Sequence, residues 1–124
     1  MKDCIRDICQ AIADKKGFNI VALDVREVCS MTDFFIIAEG SVDRHVVSIA
    51  RHVEQELSKY GLRPINVEGM QDGEWVVLDY LDCIIHLFIP EFRQYYRLEE
   101  VWKEGKVMNI PVDYAVESRY NSPI

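Results

Sequence analysis

A chain of 124 residues has the size of one domain and can bury about two-thirds of its unfolded surface, enough for a core without disulfides or metals. A hydrophobic content of 49% and a charged content of 28% are ordinary for a globular protein and exclude extensive disorder. The net charge of -7 disfavours nucleic-acid or anionic-membrane binding unless a local basic patch exists, and it favours a basic protein partner. Solubility alone explains the charge equally well.

The sequence predicts a cytoplasmic protein. No apolar run reaches the roughly 18 residues that cross a bilayer, and Met1 to Asp7 is too charged for a signal peptide. The four cysteines form no Cys-x-x-Cys pair and have no zinc-like spacing to histidine, which fits a reducing compartment. We therefore expect no metal or cofactor, and we expect Cys9 and Cys83 to be core residues.

Apolar periodicity and turn residues divide the chain into helices and strands. Apolar residues at helical spacing indicate helices, and short runs rich in β-branched and aromatic residues indicate strands. The predicted elements are, in chain order, a helix over 3–16, strands over 19–25 and 33–38, a helix between Ser41 and Gly61, a strand over 64–67, hairpin strands over 75–78 and 83–89, and helical turns over 90–96 and 98–102.

These elements predict an α+β fold with a single mixed five-stranded sheet and flanking helices. The hairpin is expected in the middle of the sheet with both faces covered, because both of its strands are nearly continuous apolar runs. In the long helix, Ser41 is the expected N-cap and Tyr60 belongs to the expected buried face. The pattern fades from Gly105, so we expect a single domain over 1–104 and a loosely attached C-terminal tail over 105–124.

One turn suggests an enzymatic alternative. Gly40 and Ser41 lie between a strand and a helix, like the phosphate-facing turn of nucleotidyltransferases. Those enzymes also need two carboxylates on one face of a neighbouring strand. The nearest pair, Asp79 and Asp82, is three residues apart across a turn and does not reproduce that arrangement. A nucleotidyltransferase-like nucleotide-binding enzyme is therefore the weaker interpretation.

The three histidines are not predicted to be catalytic. His45 and His52 are seven residues apart on one helix, about 10 Å along its axis, which is too far to share one metal. We expect both to face solvent. His86 lies in a strongly apolar strand, where a hydrogen-bonded sheet histidine is more common than a catalytic base.

Aromatic residues are numerous in the second half of the chain. Their number exceeds what a small core commonly needs, and tyrosine, tryptophan and arginine are favoured at protein interfaces. A core role with hydroxyl groups at the rim is equally compatible with the sequence. The residues concerned are Trp75, Tyr80, Phe92, Tyr95, Tyr96 and Trp102.

Several ordered motifs carry a family resemblance. They lie at 19–25, 32–37, 40–46, 67–69, 75–80 and 93–99. Together these motifs resemble the ribosomal silencing factor family, also called Iojap, over residues 3–103. The order and spacing of six motifs make the resemblance more specific than any one of them.

This resemblance implies a nucleotidyltransferase-like fold without the catalytic carboxylates. It also implies a translation repressor that is not an enzyme. Such a protein binds the large ribosomal subunit through a basic ribosomal protein, the fourteenth of that subunit in bacterial nomenclature, on the face that meets the small subunit. It sterically blocks subunit joining in nutrient limitation. The sequence leaves open whether the free protein is a monomer or a homodimer, and we expect little direct nucleic-acid binding and no membrane binding.

The resemblance also suggests contact residues. Trp75 matches the family's tryptophan at the start of the fourth strand and is the expected interface anchor. Asp79 is expected to accept hydrogen bonds from a lysine or arginine of the partner, with Tyr80 beside it at an exposed rim. A fully buried Trp75 would exclude the anchor role. The weaker candidates are Glu91, Arg93, Tyr96 and Glu99.

Overall fold

The computed structural model describes residues 4–96 and 105–114. Its secondary structure follows the predicted order, with one additional strand near the C-terminus. The elements are α1 (Ile5–Asp14), β1 (Phe18–Asp24), β2 (Phe34–Glu39), α2 (Asp43–Ser58), β3 (Asn66–Glu68), β4 (Trp75–Asp79), β5 (Cys83–Phe88), α3 (Pro90–Tyr96) and β6 (Lys106–Met108). The predicted turn over 98–102 lies outside the described residues.

The strands form a single mixed sheet in the order β3-β4-β5-β2-β1-β6. Among the described strands, β2 and β5 are parallel neighbours and the other neighbouring pairs are antiparallel. The α+β fold with a mixed sheet and flanking helices is therefore confirmed. The expected number of five strands is wrong, because the described residues already form six.

The sixth strand changes the interpretation of the C-terminal region. Strand β6 pairs with β1, with Ala22 opposite Met108. Beyond it, the backbone N–H of Asp113 donates to Gln10 at 3.0 Å, and the Tyr114 hydroxyl donates to the Gly17 carbonyl at 2.8 Å. The expectation of a loose tail is therefore wrong for residues 105–114. Strand β6 was not predicted because it has only three residues, two of them exposed, and so lacks the apolar alternation that identifies a strand in a sequence.

The main core lies between the sheet and the two longer helices. Helices α1 and α2 present Ile8, Ile12, Ile49 and Val53 to it, each at most 1% exposed. Cys9 and Cys83 are buried in this core as predicted. Burial raises the pKa of the Cys9 thiol to about 12 and also raises that of Cys83.

A second, smaller cluster lies on the opposite face of the sheet. It contains Leu23, Phe35, Ile37 and Phe88, and Phe92 of α3 packs against it. Both faces of the central strands β2 and β5 are therefore covered, which explains their nearly continuous apolar sequences. In β4, by contrast, buried and partly exposed residues alternate. The prediction that both hairpin strands are covered on both faces is thus correct for β5 and wrong for β4.

Two expectations for α2 are also wrong. Val42, not Ser41, occupies the N-cap position, and it makes no side-chain capping bond. Tyr60 is 58% exposed instead of buried, because the helix ends at Ser58 and Tyr60 lies in the turn that follows it. Its hydroxyl donates to Asp7 at 2.7 Å. Among the described helices, none is long and apolar enough to span a membrane.

Candidate protein-binding surface

Strands β3 and β4 form one partly exposed face at the edge of the sheet. Trp75, Val77 and Asp79 alternate along β4 with the core residues that face α2, so they point to the opposite side. Asn66 lies opposite Asp79, and Glu68 lies opposite Val77. Directly opposed residues share a face of the sheet. We call Asn66, Glu68, Trp75, Val77 and Asp79 the β3–β4 surface.

The indole of Trp75 is fixed at one end of this surface. Its ring stacks on Phe88 at a centroid distance of 5.1 Å, and its Nε1–H donates to Nδ1 of His86 at 3.1 Å. Because an indole N–H can only donate, Nδ1 of His86 is unprotonated and its ring hydrogen lies on Nε2. Burial lowers the pKa of His86 to about 4. This confirms the prediction of a hydrogen-bonded sheet histidine.

The Trp75 side chain is partly exposed, so the condition that would exclude an anchor role is not met. One side of the ring is held by protein contacts while part of it reaches solvent. An aromatic ring held in place loses little conformational entropy when a partner binds. Whether Trp75 contacts a partner stays a prediction.

The backbone of Trp75 is held by a glycine loop. Gly69 has a φ of +86°, and a Cβ at this position would lie 1.9 Å from the Trp75 carbonyl oxygen. The Gly69 carbonyl accepts a hydrogen bond from the N–H of Gly73 at 2.8 Å, which closes the loop. The loop therefore requires glycine at position 69 both for its backbone conformation and for the close approach to Trp75.

Two carboxylates flank the apolar part of the surface. Glu68 accepts a hydrogen bond from the Asn66 amide at 2.7 Å, and Asp79 accepts one from the Leu81 backbone N–H at 2.8 Å. A carboxylate has about four lone-pair sites, so one such bond leaves capacity for a cationic donor. An apolar centre with acidic neighbours fits a basic protein partner.

Tyr80 does not belong to this surface. It is 6% exposed and lies in the main core, because the alternation along β4 turns it to the side opposite Asp79. Its hydroxyl is buried and has no hydrogen-bond partner among the described residues. Burial, with a smaller effect from Glu54, raises the pKa of Tyr80 to about 12. The expectation that Tyr80 lies at an exposed rim is wrong.

The Arg93 side chain is mostly buried by contacts with the sheet. Its guanidinium pairs with Glu39 at 3.1 Å, where the two side chains are 11% and 9% exposed, and it also donates to the Asn19 carbonyl. The Asn19 amide donates to the same Glu39 carboxylate at 3.1 Å. These bonds attach α3 to β1 and β2, so they give Arg93 a structural role.

The structure describes only part of the remaining contact candidates. Glu91 is exposed on α3. The side chain of Tyr96, and the whole of Glu99, lie outside the described residues, as do the side chain of Tyr95 and all of Trp102. Their suggested roles stay predictions.

Sequence reasoning overlooked two exposed apolar side chains beside Asp79. Ile65 is 64% exposed and Leu81 is 60% exposed, and the Ile65 N–H donates to the Asp79 carbonyl at 2.7 Å. They extend the apolar area of the sheet edge. The sequence contains little signal for them, because Ile65 falls in the strand predicted over 64–67 and Leu81 lies between Tyr80 and Asp82 in a short turn.

The turn considered for phosphate binding has internal partners. The Ser41 N–H donates to Nδ1 of His45 at 2.8 Å, and the other ring nitrogen of His45 bonds to the Lys15 carbonyl at 2.6 Å. His45 therefore links α1 to α2, which differs from the expected solvent-facing side chain. Asp79 accepts the hydrogen bond from the Leu81 N–H in the turn between β4 and β5. No group of three metal-ligating side chains occurs within the described part of the chain.

The fold is shared with bacterial proteins of known structure. A protein from Chromobacterium violaceum matches with a TM-score of 0.80 and 31% sequence identity, over 92% of this chain and 94% of that chain. A protein from Bacillus halodurans matches with a TM-score of 0.78 and 27% identity, over 89% of this chain and 100% of that chain. The protein therefore belongs to a class of small α+β proteins with one mixed sheet.

Sequence comparison defines the family within this class. The family described as "Ribosomal silencing factor during starvation" matches residues 1–122. The ribosomal silencing factor of Bacillus subtilis is 29% identical over 109 residues, covering 88% of this chain and 92% of that protein. That of Haemophilus influenzae is 36% identical over 87 residues, covering 70% and 85%. A mouse protein named for mitochondrial assembly of the ribosomal large subunit is 29% identical over 91 residues, covering 68% and 38%.

The chain belongs to the ribosomal silencing factor family. The family is associated with the ribosome and with repression of translation, and its name denotes no enzymatic reaction. The match extends past residue 103, and it includes the segment that forms β6.

Proposed function

We propose that this protein represses translation by occupying the large ribosomal subunit. The contact is made to a basic ribosomal protein, the fourteenth of the large subunit in bacterial nomenclature, on the face that meets the small subunit. Bound there, the chain sterically blocks subunit joining when nutrients are scarce. The family name supports the silencing role, and the name of the mouse relative supports an association with the large subunit.

One observation supports the β3–β4 surface as the contact. Trp75 is partly exposed while its ring is held by Phe88 and His86, and the carboxylates of Glu68 and Asp79 lie on the same face. Rigid aromatic side chains are frequent energetic centres of protein interfaces. Carboxylates around such a centre accelerate encounter with a basic partner and orient it.

The proposal includes no catalytic step. A nucleotidyltransferase-like reaction would need a free phosphate-binding turn and a pair of carboxylates on one strand face. The Ser41 N–H is bonded to His45, and Asp79 bonds the turn at Leu81. These contacts favour binding over catalysis. A likeness to nucleotidyltransferases is thus proposed for the architecture alone.

A charge reversal tests this contact. Glu68→Lys places a cation beside Trp75, where it would repel a basic partner. We expect about tenfold weaker binding to the isolated fourteenth large-subunit protein, mostly through slower association. Surface plasmon resonance measures both rates.

Glu27→Lys is the matched control, because it makes the same charge change beyond the opposite edge of the sheet. Glu27 forms only an exposed ion pair with Lys106 at 2.9 Å among its described contacts, and such pairs contribute little to stability. If both variants lost affinity to the same extent, net charge and not the β3–β4 surface would govern association. Wild-type affinity of Glu68→Lys would exclude the β3–β4 surface as the contact.

A further inference from the structure

A groove on the outer side of the helical layer has the opposite charge to the rest of the protein. Its volume is about 400 Å³, and its lining includes Lys15, Arg44, Ser48, Arg51, His52 and Gln55. None of the described lining residues carries a carboxylate. The whole chain has 21 acidic and 14 basic residues, so this absence is a local departure from the average composition.

The residues of α2 that line the groove form a row along one face of the helix, which we call the arginine stripe. Positions 44, 48, 51 and 55 recur at spacings of four, three and four residues, which places them on one face of α2. The buried residues Val46, Ile49, Ala50, Val53 and Leu57 occupy the opposite face. The acidic residues Asp43, Glu54 and Glu56 fall on the flanks of the helix, between these two faces.

The position of Lys15 in the groove is set by His45. The bond between the His45 ring and the Lys15 carbonyl fixes the end of α1 beside α2. This contact brings Lys15, which directly follows α1, to the edge of the arginine stripe. The groove is therefore built by two elements and held by a specific side-chain bond.

The groove is elongated along the helix. Arg44 and Arg51 are seven residues apart, about 10 Å along the axis. Successive phosphates of a duplex strand advance about 3.4 Å along its axis, so this length spans several nucleotides. Arginine guanidinium groups and hydroxyl or amide side chains such as Ser48 and Gln55 are common donors to phosphate oxygens. A phosphodiester chain fits these features better than a single small anion.

We propose that this groove binds the phosphate backbone of an RNA segment of the large ribosomal subunit. The inference rests on the proposed function and adds a second contact, on the opposite side of the sheet from the β3–β4 surface. It revises the expectation of little direct nucleic-acid binding. An acidic chain as a whole repels RNA phosphates, but a local cluster of cations such as this groove can still bind them.

Arg51 is the best residue for a test. Arg44 also borders a neighbouring depression that contains Asp43 and Asp72, so its surroundings are less purely basic than those of Arg51. Arg51→Gln keeps a polar, hydrogen-bonding side chain and removes one cation. Arg6→Gln is the matched control, because Arg6 is exposed on α1 about 13 Å along the axis from Lys15.

The measurement is the affinity of the full chain for purified large subunits over a range of salt concentrations. Arg51→Gln is expected to bind about fivefold more weakly at low salt and to reduce the slope of log affinity against log salt by about 1. Arg6→Gln is expected to match the wild type. Neither variant should bind the isolated fourteenth large-subunit protein more weakly than the wild type does.

Ultraviolet crosslinking tests whether RNA of the large subunit lies against α2. In wild-type complexes, nucleotide adducts are expected on peptides of α2, and Arg51→Gln should reduce them. An unchanged salt slope in Arg51→Gln, or crosslinks to RNA only outside α2, overturns the groove contact while wild-type binding persists. A wild-type chain that fails to bind large subunits overturns the proposed function and the groove contact together.

Discussion

The indole N–H of Trp75 donates a hydrogen bond to Nδ1 of His86, at a nitrogen–nitrogen distance of 3.1 Å. The bond joins Trp75, which is proposed to contact a partner, to the half-buried His86 of the central strand β5. It requires a neutral imidazole at Nδ1. Protonation of His86 at Nδ1 would therefore break the bond that orients Trp75 in the β3–β4 surface.

This link predicts a pH dependence of stability. Burial lowers the pKa of His86 from 6.5 to about 4 in the folded protein. Its contribution is therefore fully present above pH 6.5 and is lost as the pH falls towards 4, because the unfolded chain takes up the proton more readily. At pH 4.5 the loss should be about 2 kcal/mol relative to pH 7.5.

His86→Gln is the control for that measurement, since its amide oxygen can accept the Trp75 bond without titrating. Urea unfolding of both proteins at pH 7.5 and 4.5 separates His86 from the carboxylates, which titrate in both. We expect the wild type to lose more free energy of unfolding than the variant. Equal losses would show that His86 is protonated normally in the folded protein.

The loop against Trp75 predicts an unequal effect of two glycine substitutions. Gly69 and Gly61 both have positive φ, but a Cβ at Gly61 has no neighbour within 4 Å. Gly61→Ala should cost about 1 kcal/mol through its backbone conformation alone. Gly69→Ala must also displace the Trp75 carbonyl, so we expect a loss of about 3 kcal/mol or more. Thermal unfolding measures the difference, and comparable losses would refute the close approach of Gly69 to Trp75.

The ion pair between Arg93 and Glu39 predicts that Arg93 acts through stability. Arg93→Ala leaves a nearly buried carboxylate with only the Asn19 amide among its described side-chain partners. We expect a loss of about 3 kcal/mol in the free energy of unfolding. Lys59→Ala, which breaks an exposed pair with Glu56, should show little change.

The alternative for Arg93 is a direct contact with a partner. At a temperature where the variant remains folded, its affinity for large subunits should equal that of the wild type. A tenfold loss of affinity with normal unfolding would instead place Arg93 at the interface. Isothermal calorimetry and urea unfolding on the same samples distinguish these outcomes.

The sequence predicted the elements that have strong periodicity. The apolar faces of α1 and α2 and the continuous run in β5 identify those elements because their burial repeats regularly. Strand β6 was not predicted, since a three-residue edge strand is stabilised by pairing with β1 and has no apolar pattern of its own. Local pattern cannot reveal a strand defined by a distant partner.

The candidate surface was predicted in part. The alternation of β4 identifies Trp75 and Asp79 as one face, and the same alternation assigns Tyr80 to the other face. The partners of Arg93 are separated from it by more than 50 residues, so its internal role required the fold. The basic groove was likewise hidden, because Lys15 and Arg51 come together only when α1 packs on α2.

Light scattering of mixed ribosomal subunits measures whether the chain blocks subunit joining through the surface around Trp75. Large subunits preincubated with the wild-type chain should fail to join small subunits. Trp75→Ala should need at least about tenfold more protein for the same effect. Tyr60→Ala, which removes an exposed aromatic ring at the end of α2, should act like the wild type. Normal joining in the presence of saturating wild-type chain would show that the chain does not block joining. Equal inhibition by a folded Trp75→Ala variant would show that Trp75 is not part of the contact.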